Sequence, residues 1–352
     1  MAVSETTDLS RLRIGILGAG SMGTVLGAYL IRGGCRVEFI DSYAAHVDAL
    51  NRKGATITGA APFTVPARAI LPGEMDGIYD VIFYMAKQTA NAEALPALLP
   101  HLGPDSLVVT LQNGMPDEEV GSIVGAHRLL GAPVGWGASF EGPGVSRLTS
   151  DPDCMHFCVG RPGSKADAGV YLIKNILDLM CPTTVTDNLT GIRWTKLMMN
   201  ATFSGVSAVL GCTFGDILDD PRAMDVLARL GRECIQVSRA GGVRMEPMGG
   251  NDFEALLWYE TEEECARAKA NYTHFWTPQR ALRASMLQDL EKGRPCEIHY
   301  INGAVARQGD RVGVDTPVND RVVSLVEEIQ RGENTFGGHN LPALLAALPQ
   351  SN

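Results

Sequence analysis

The feature that most constrains this chain is Gly18-Ala19-Gly20-Ser21-Met22-Gly23, which follows a short apolar run, Leu12–Leu17, and opens a stretch of helical spacing from about 21 to 32. A G-x-G-x-x-G turn joining a strand to a helix is a dinucleotide-binding signature with a physical basis. Gly18 allows the tight turn, Gly20 lets a pyrophosphate reach the backbone, and Gly23 lets the helix pack closely on the strand. The unpaired N–H groups of the first helical turn, with the helix dipole, then favour an anion. Gly18, Gly20, Ser21, Met22 and Gly23 are therefore candidate cofactor contacts. The second strand-like run, Arg36–Ile40, ends at Asp41, roughly twenty residues on. A carboxylate there accepts from both ribose hydroxyls and repels a 2′-phosphate. Ser42 follows rather than a cation, so we expect NAD(H) to be preferred. NADP(H) stays possible through Arg52 or Lys53.

The first half of the chain goes on alternating. A helix is expected from about 44 to 52, weaker strands near 55–58 and 63–70, and strong strands at Asp80–Met85 and Ser106–Leu111. An Ala- and Leu-rich helix lies between the last two and is expected to close at Gly103-Pro104. Residues 131–160 are Gly-, Pro- and β-rich, 167–179 are helical, and 183–186 form a last strand. This alternation predicts a parallel sheet covered on both faces. After Asn188 only helical periods remain, near 190–210, 221–241, 252–270, 276–291, 294–309 and 318–331. The expected fold is α/β: an N-terminal Rossmann dinucleotide-binding domain (1–187), an all-helical C-terminal domain (188–331), and a loose tail (332–352).

Composition narrows the function. With 30 Lys+Arg against 40 Asp+Glu, the net charge of −10 argues against a nucleic-acid binder. No uncharged apolar run reaches membrane-spanning length, and Met1–Arg13 lacks the apolar core of a signal peptide. The eight cysteines are scattered without zinc-ligand spacing, so we expect reduced thiols, no metal, and a cytoplasmic protein. A homodimer is the expectation from base rates.

Loops at the carboxyl ends of parallel strands line the ligand crevice. Lys87, after the 80–85 strand, and Asn113, after the 106–111 strand, are candidates there, although Asn113-Gly114 is also ordinary turn chemistry. In the first long helix of the second half, Lys196, Asn200 and Ser204 recur every four residues and share one face amid apolar neighbours. A lysine so placed must snorkel, pair, or face a cleft. Burial in a cleft would lower its pKa and suit it to proton transfer near neutrality. Glu297 opens a later helix, where an acid is favoured by the dipole or pairs with Lys196. Asp315–Asn319 is read as a helix boundary with a structural role.

The ordered set GAGSMG (18–23), KQT (87–89), LQNG (111–114), WTKLMMN (194–200), SMLQDLEKGRPCE (285–297), IHYINGAV (298–305) and TPVN (316–319) resembles the ketopantoate reductase family over nearly the whole chain. The resemblance implies the two domains above, with an active site in the cleft between them. It also implies reduction of a 2-oxo acid to a 2-hydroxy acid by nicotinamide hydride. By that resemblance Lys196 is the general acid on the carbonyl oxygen, and Asn200 and Ser285 hold the substrate. Glu297 binds its distal hydroxyl or orients Lys196, Asn113 contacts both cofactor and substrate, and Lys87 lies on the cofactor side.

Three departures bear on specificity. Ser204 stands where the family carries an asparagine one turn after Asn200, and Leu282 replaces another asparagine three residues before Ser285. Ser42 stands where the family arginine reads the 2′-phosphate. A less polar pocket loses discrimination in favour of a hydroxylated substrate, so the expected substrate is a bulkier or more apolar 2-oxo acid or ketone. The alternatives are 2-dehydropantoate 2-reductase proper, a 3-hydroxyacid or opine-type dehydrogenase, and a dinucleotide sensor without turnover. The last is disfavoured by the presence of Lys196, Asn200 and Glu297. Six aromatic residues between about 251 and 277 have no role assigned by the sequence.

Overall fold

A computed structural model of the chain describes residues 8–348; the first seven and last four lie outside the described residues. Two compact units form. One contains the described residues up to Gln112 and Pro116–Leu189; the other contains Asn113–Met115 and the described residues from Thr190.

The strands of the first unit are β1 (Arg13–Leu17), β2 (Arg36–Ile40), β3 (Ala55–Gly59), β4 (Phe63–Val65), β5 (Arg68–Ile70), β6 (Tyr79–Tyr84), β7 (Leu102–Thr110), β8 (Leu129–Gly131), β9 (Ala138–Gly142), β10 (Val145–Leu148), β11 (Phe157–Val159) and β12 (Thr183–Val185). The main sheet runs β5-β2-β1-β6-β7-β8, every neighbouring pair parallel. The order reverses between β1 and β6, which is where such sheets bind ligands. Helices α1 (Ser21–Arg32), α2 (Ala44–Lys53), α3 (Asn91–Leu98), α4 (Asp117–Val124) and α5 (Ala168–Leu177) belong to this unit. Ile14 and Ile16 are fully buried, each contributing roughly 1.5–3 kcal/mol of apolar burial. Helix α1 is buried along Gly23–Leu30, because a second sheet, β4-β3-β10-β9, packs on it as well.

The single strand expected over 63–70 is two: β4 joins the second sheet and β5 the main one. Gly103-Pro104 does not end a helix but lies inside β7. Proline fits there because the β6–β7 register shifts between Tyr79 and Val81, and at that bulge its missing N–H costs no ladder bond.

The second unit is helical: α6 (Leu189–Leu210), α7 (Phe214–Asp219), α8 (Pro221–Ala240), α9 (Phe253–Leu257), α10 (Glu262–Trp276), α11 (Ser285–Glu291), α12 (Asn302–Val312), α13 (Pro317–Gln330) and α14 (Leu341–Leu345). The helix expected over 252–270 breaks at Trp258, and Thr261 restarts it through a capping box with Glu264. The one expected over 276–291 is interrupted before Ser285, and the one over 294–309 begins only after Glu297. The expected loose tail is packed as far as it is described. Pro342 sits in the first turn of α14, Leu341 and Leu344 enter the core, and Asn340 Nδ2 donates to the Val209 carbonyl at 3.1 Å.

The aromatic stretch is mostly core. Trp276 stacks on Phe203 of α6, centroids 4.9 Å apart, while Tyr272 and Phe253 pack on Trp276. Glu233 of α8 is fully buried and accepts from the Val318 and Asn319 backbone N–H groups and from Asn319 Nδ2 (3.2, 3.1 and 2.8 Å). Burial raises its pKa against those hydrogen bonds. The TPVN segment is thus a helix start capped by a distant carboxylate, as its structural role requires.

Candidate active site

In the first unit the glycine turn has three separate physical demands. Gly18 has φ +92°, and a Cβ there would collide with the Ala86 backbone nitrogen. A Cβ at Gly23 would collide with the Gly18 carbonyl. Gly20 is different: it is exposed, a Cβ would meet nothing within 4 Å, and α1 has no side-chain cap. Its first N–H groups therefore border an open cradle of the kind a diphosphate fills, and the residues present fit a dinucleotide. Ser21 and Met22, both half-buried, open the helix.

Asp41 follows the end of β2, its carboxylate held by the Tyr43 N–H at 2.9 Å in a local turn, and Ser42 is exposed. Arg52 lies eight residues beyond Ala44, roughly 12 Å along α2, and turns back to Asp48 at 3.5 Å. Lys87 is exposed just past β6, beginning a short 3-10 turn. Gln112 fastens the ends of β6 and β7, donating to the Ala86 carbonyl at 2.8 Å and to Asn91 Oδ1 at 2.9 Å.

In the second unit the structure bears directly on the α6 stripe. From Gly191 to Leu210 only Lys196, Met199, Asn200 and Ser204 keep partial exposure; every other residue is buried. The three polar positions expected to share a face are thus the polar part of the helix's open face. Burial of the Lys196 ammonium lowers its pKa to about 7, repulsion from Arg193 adds to that, and attraction to Glu297 opposes it. Lys196 and Glu297 therefore lie within electrostatic range of one another. Arg193, almost fully buried one turn earlier, is an electrostatic neighbour of Lys196 that sequence reasoning missed. The same rule that singled out Lys196, a cation in an apolar helix, would have found it.

The later segments are tied to α6. Asn302 Nδ2, at the start of α12, donates to the Ala201 carbonyl at 2.9 Å and to Asn319 Oδ1 at 3.0 Å, and Asn319 in turn reaches Glu233. The Cys296 N–H donates to Gln330 Oε1 at 2.9 Å. Glu297 is held between these anchors. Ser285 is exposed at the first position of α11. The residue before it, Ala284, donates to Ser207 Oγ on α6 at 3.4 Å. Leu282 is 46% exposed, and its carbonyl accepts the Phe214 N–H. Asn113 is half-buried and groups with the second unit.

All eight cysteines are free thiols, five of them buried. Among the described residues no group of three or more His, Cys, Asp or Glu side chains is placed to hold a metal ion. No described helix is long and apolar enough to cross a membrane.

Two family profiles match the chain. "Ketopantoate reductase PanE/ApbA" covers residues 14–157 and "Ketopantoate reductase PanE/ApbA C terminal" covers 188–330. A 2-dehydropantoate 2-reductase of Mesorhizobium japonicum is 27% identical over 346 residues, 91% of this chain and 99% of that protein. Two solved structures share the fold. D-mandelate dehydrogenase with NADH and anilino(oxo)acetate has TM-score 0.79 at 23% identity, covering 91% of this chain and 99% of that one. A PanE/ApbA family ketopantoate reductase from Ralstonia eutropha has TM-score 0.76 at 24% identity, covering 92% and 99%.

Proposed function

The chain belongs to the ketopantoate reductase family, and we propose that Lys196 is its proton donor and that it prefers NAD(H) and a 2-oxo acid or ketone more apolar than ketopantoate. The observation that carries this is the open stripe of α6, where a lysine with a pKa of about 7 stands beside Asn200 and Ser204.

When bound, a nicotinamide cofactor would supply hydride to the carbonyl carbon, or accept it in the reverse direction. The chain's own residues manage the oxygen. As negative charge grows there, the Lys196 ammonium stabilises it and gives up a proton. In the alcohol-to-ketone direction the neutral amine takes the hydroxyl proton. A pKa near neutrality keeps both forms populated. Glu297 orients the ammonium and keeps its pKa from falling further. Asn200, Ser204, Ser285 and Asn113 bind the substrate's polar groups, with Leu282 as an apolar wall. Lys87 contacts the cofactor.

NAD(H) is favoured by Asp41, with Ser42 beside it and Arg52 engaged by Asp48. The fold neighbour D-mandelate dehydrogenase was solved with NADH, which is in keeping with this. The more apolar substrate is favoured by Ser204 and Leu282 in place of two amides. We further propose a cytoplasmic homodimer, the commonest arrangement for a soluble enzyme, to be checked by light scattering.

The test is a steady-state panel: NADH and NADPH, each with ketopantoate and with bulkier 2-oxo acids and ketones, and NAD with the matching alcohols. The proposal expects NADH-dependent turnover of the bulkier compounds with ketopantoate poor. Efficient NADPH-dependent reduction of ketopantoate would overturn it in favour of an ordinary 2-dehydropantoate 2-reductase.

A further inference from the structure

His46 is buried on α2, 1% exposed, and neither the sequence motifs nor the mechanism uses it. Its Nδ1 receives the Gly144 N–H at 2.9 Å. A backbone N–H can only donate, so Nδ1 carries no proton, and the ring is neutral with its hydrogen on Nε2. That Nε2–H lies 2.8 Å from the Ala19 carbonyl, inside the glycine turn. Thr24 Oγ1 donates to the same carbonyl at 2.7 Å and lies 3.1 Å from Nε2. Two buried donors from two helices thus hold one carbonyl of the turn.

The consequence follows from peptide geometry. In a trans peptide the C=O and the following N–H point in opposite directions. With the Ala19 oxygen held by His46 and Thr24, the Gly20 N–H is turned to the side away from those buried donors, at a residue that is itself exposed. We propose that His46 is a positioning residue of the dinucleotide site: a neutral Nε2–H imidazole that fixes the Ala19 carbonyl and so aims the Gly20 N–H at the cofactor diphosphate. Gly144, from the β9–β10 hairpin, serves as the ring's second anchor, setting the tautomer as second-sphere partners do for other histidines.

The inference rests on Gly18–Gly23 being the dinucleotide cradle, so the probe must test both. NADH and ADP-ribose, which has the diphosphate but no nicotinamide, would be titrated into the wild type, His46→Ala, His46→Gln, Thr24→Val and the His46→Ala/Thr24→Val double variant. Thermal unfolding and saturating-cofactor kcat would be measured on each. A lost buried hydrogen bond predicts about tenfold weaker binding of both ligands to His46→Ala. kcat should stay within about twofold. Gln, which can accept and donate across similar atoms, should restore part of the affinity. The double variant should be non-additive, because both side chains act on one carbonyl. Should His46→Ala not fold, His46→Gln and Thr24→Val carry the same expectation of weakened binding. Wild-type affinity for both ligands in a folded His46→Ala would overturn the inference, as would a loss of Tm and kcat with affinity unchanged. Failure of the wild type to bind either ligand would remove the cradle reading and the inference with it.

Discussion

The glycine turn at the head of α1 and the polar stripe on α6 are the two ligand surfaces of the proposed function, yet they are built in opposite ways. The first works by subtraction: side chains are absent so that backbone donors and a helix dipole reach an anion. The second works by addition: a lysine, an asparagine and a serine are set four residues apart into a helix most of whose other positions are closed by packing. The difference teaches where each is vulnerable. The turn fails when an atom is added, the stripe when one is removed.

The sharpest way to break the comparison is to truncate the stripe. Lys196→Ala is expected to lower kcat by a factor of about 10²–10⁴, with NADH affinity unchanged by fluorescence titration. Unchanged turnover would remove the proton-transfer role. Adding atoms to the turn should instead separate stability from binding. Gly18→Ala forces a positive φ and a backbone collision, costing on the order of 2 kcal/mol or more in denaturant unfolding. Gly20→Ala should cost under about 1 kcal/mol while weakening NADH about tenfold. Equal stability losses in the two variants would mean the turn is a structural device only.

A smaller effect sharpens the stripe. Ser204→Asn returns an amide to the open face and is expected to raise kcat/KM for ketopantoate a few-fold relative to bulkier substrates. No change in that ratio would place Ser204 outside the specificity pocket. Smallest is Glu297→Gln. It removes the negative charge that raises the Lys196 pKa, so the pH profile should move to lower pH. A move to higher pH would show that Glu297 does not act on Lys196.

The strand–turn–helix and the shared face of α6 were legible in the sequence because their patterns are local. A glycine motif between strand and helix, or a polar residue every fourth position, is written within ten residues. What was not legible depends on partners far along the chain. The His46 ring takes its role from Gly144 and Ala19. Asn302 and Asn319 look like helix-boundary residues until Ala201 and Glu233 are seen beside them. The 332–348 segment read as loose from its glycines and prolines, whereas Leu341 and Leu344 had a core to enter. Gly103-Pro104 read as a helix stop because only the β6–β7 bulge makes a proline acceptable in that strand. The aromatic stretch carried no signal of its destination, since the ring it stacks on, Phe203, lies on α6.

The central claim is that Lys196 exchanges its proton with the substrate oxygen at a pKa of about 7. It is tested most directly by single-turnover hydride transfer in both directions across pH. The ammonium is needed for reduction, so that rate should fall as pH rises through about 7. The neutral amine is needed for oxidation, so the reverse rate should climb over the same range. Two mirror-image limbs, both flattened in Lys196→Ala, are the predicted result. Rates that change together with pH, or that keep their limbs without Lys196, would contradict the account.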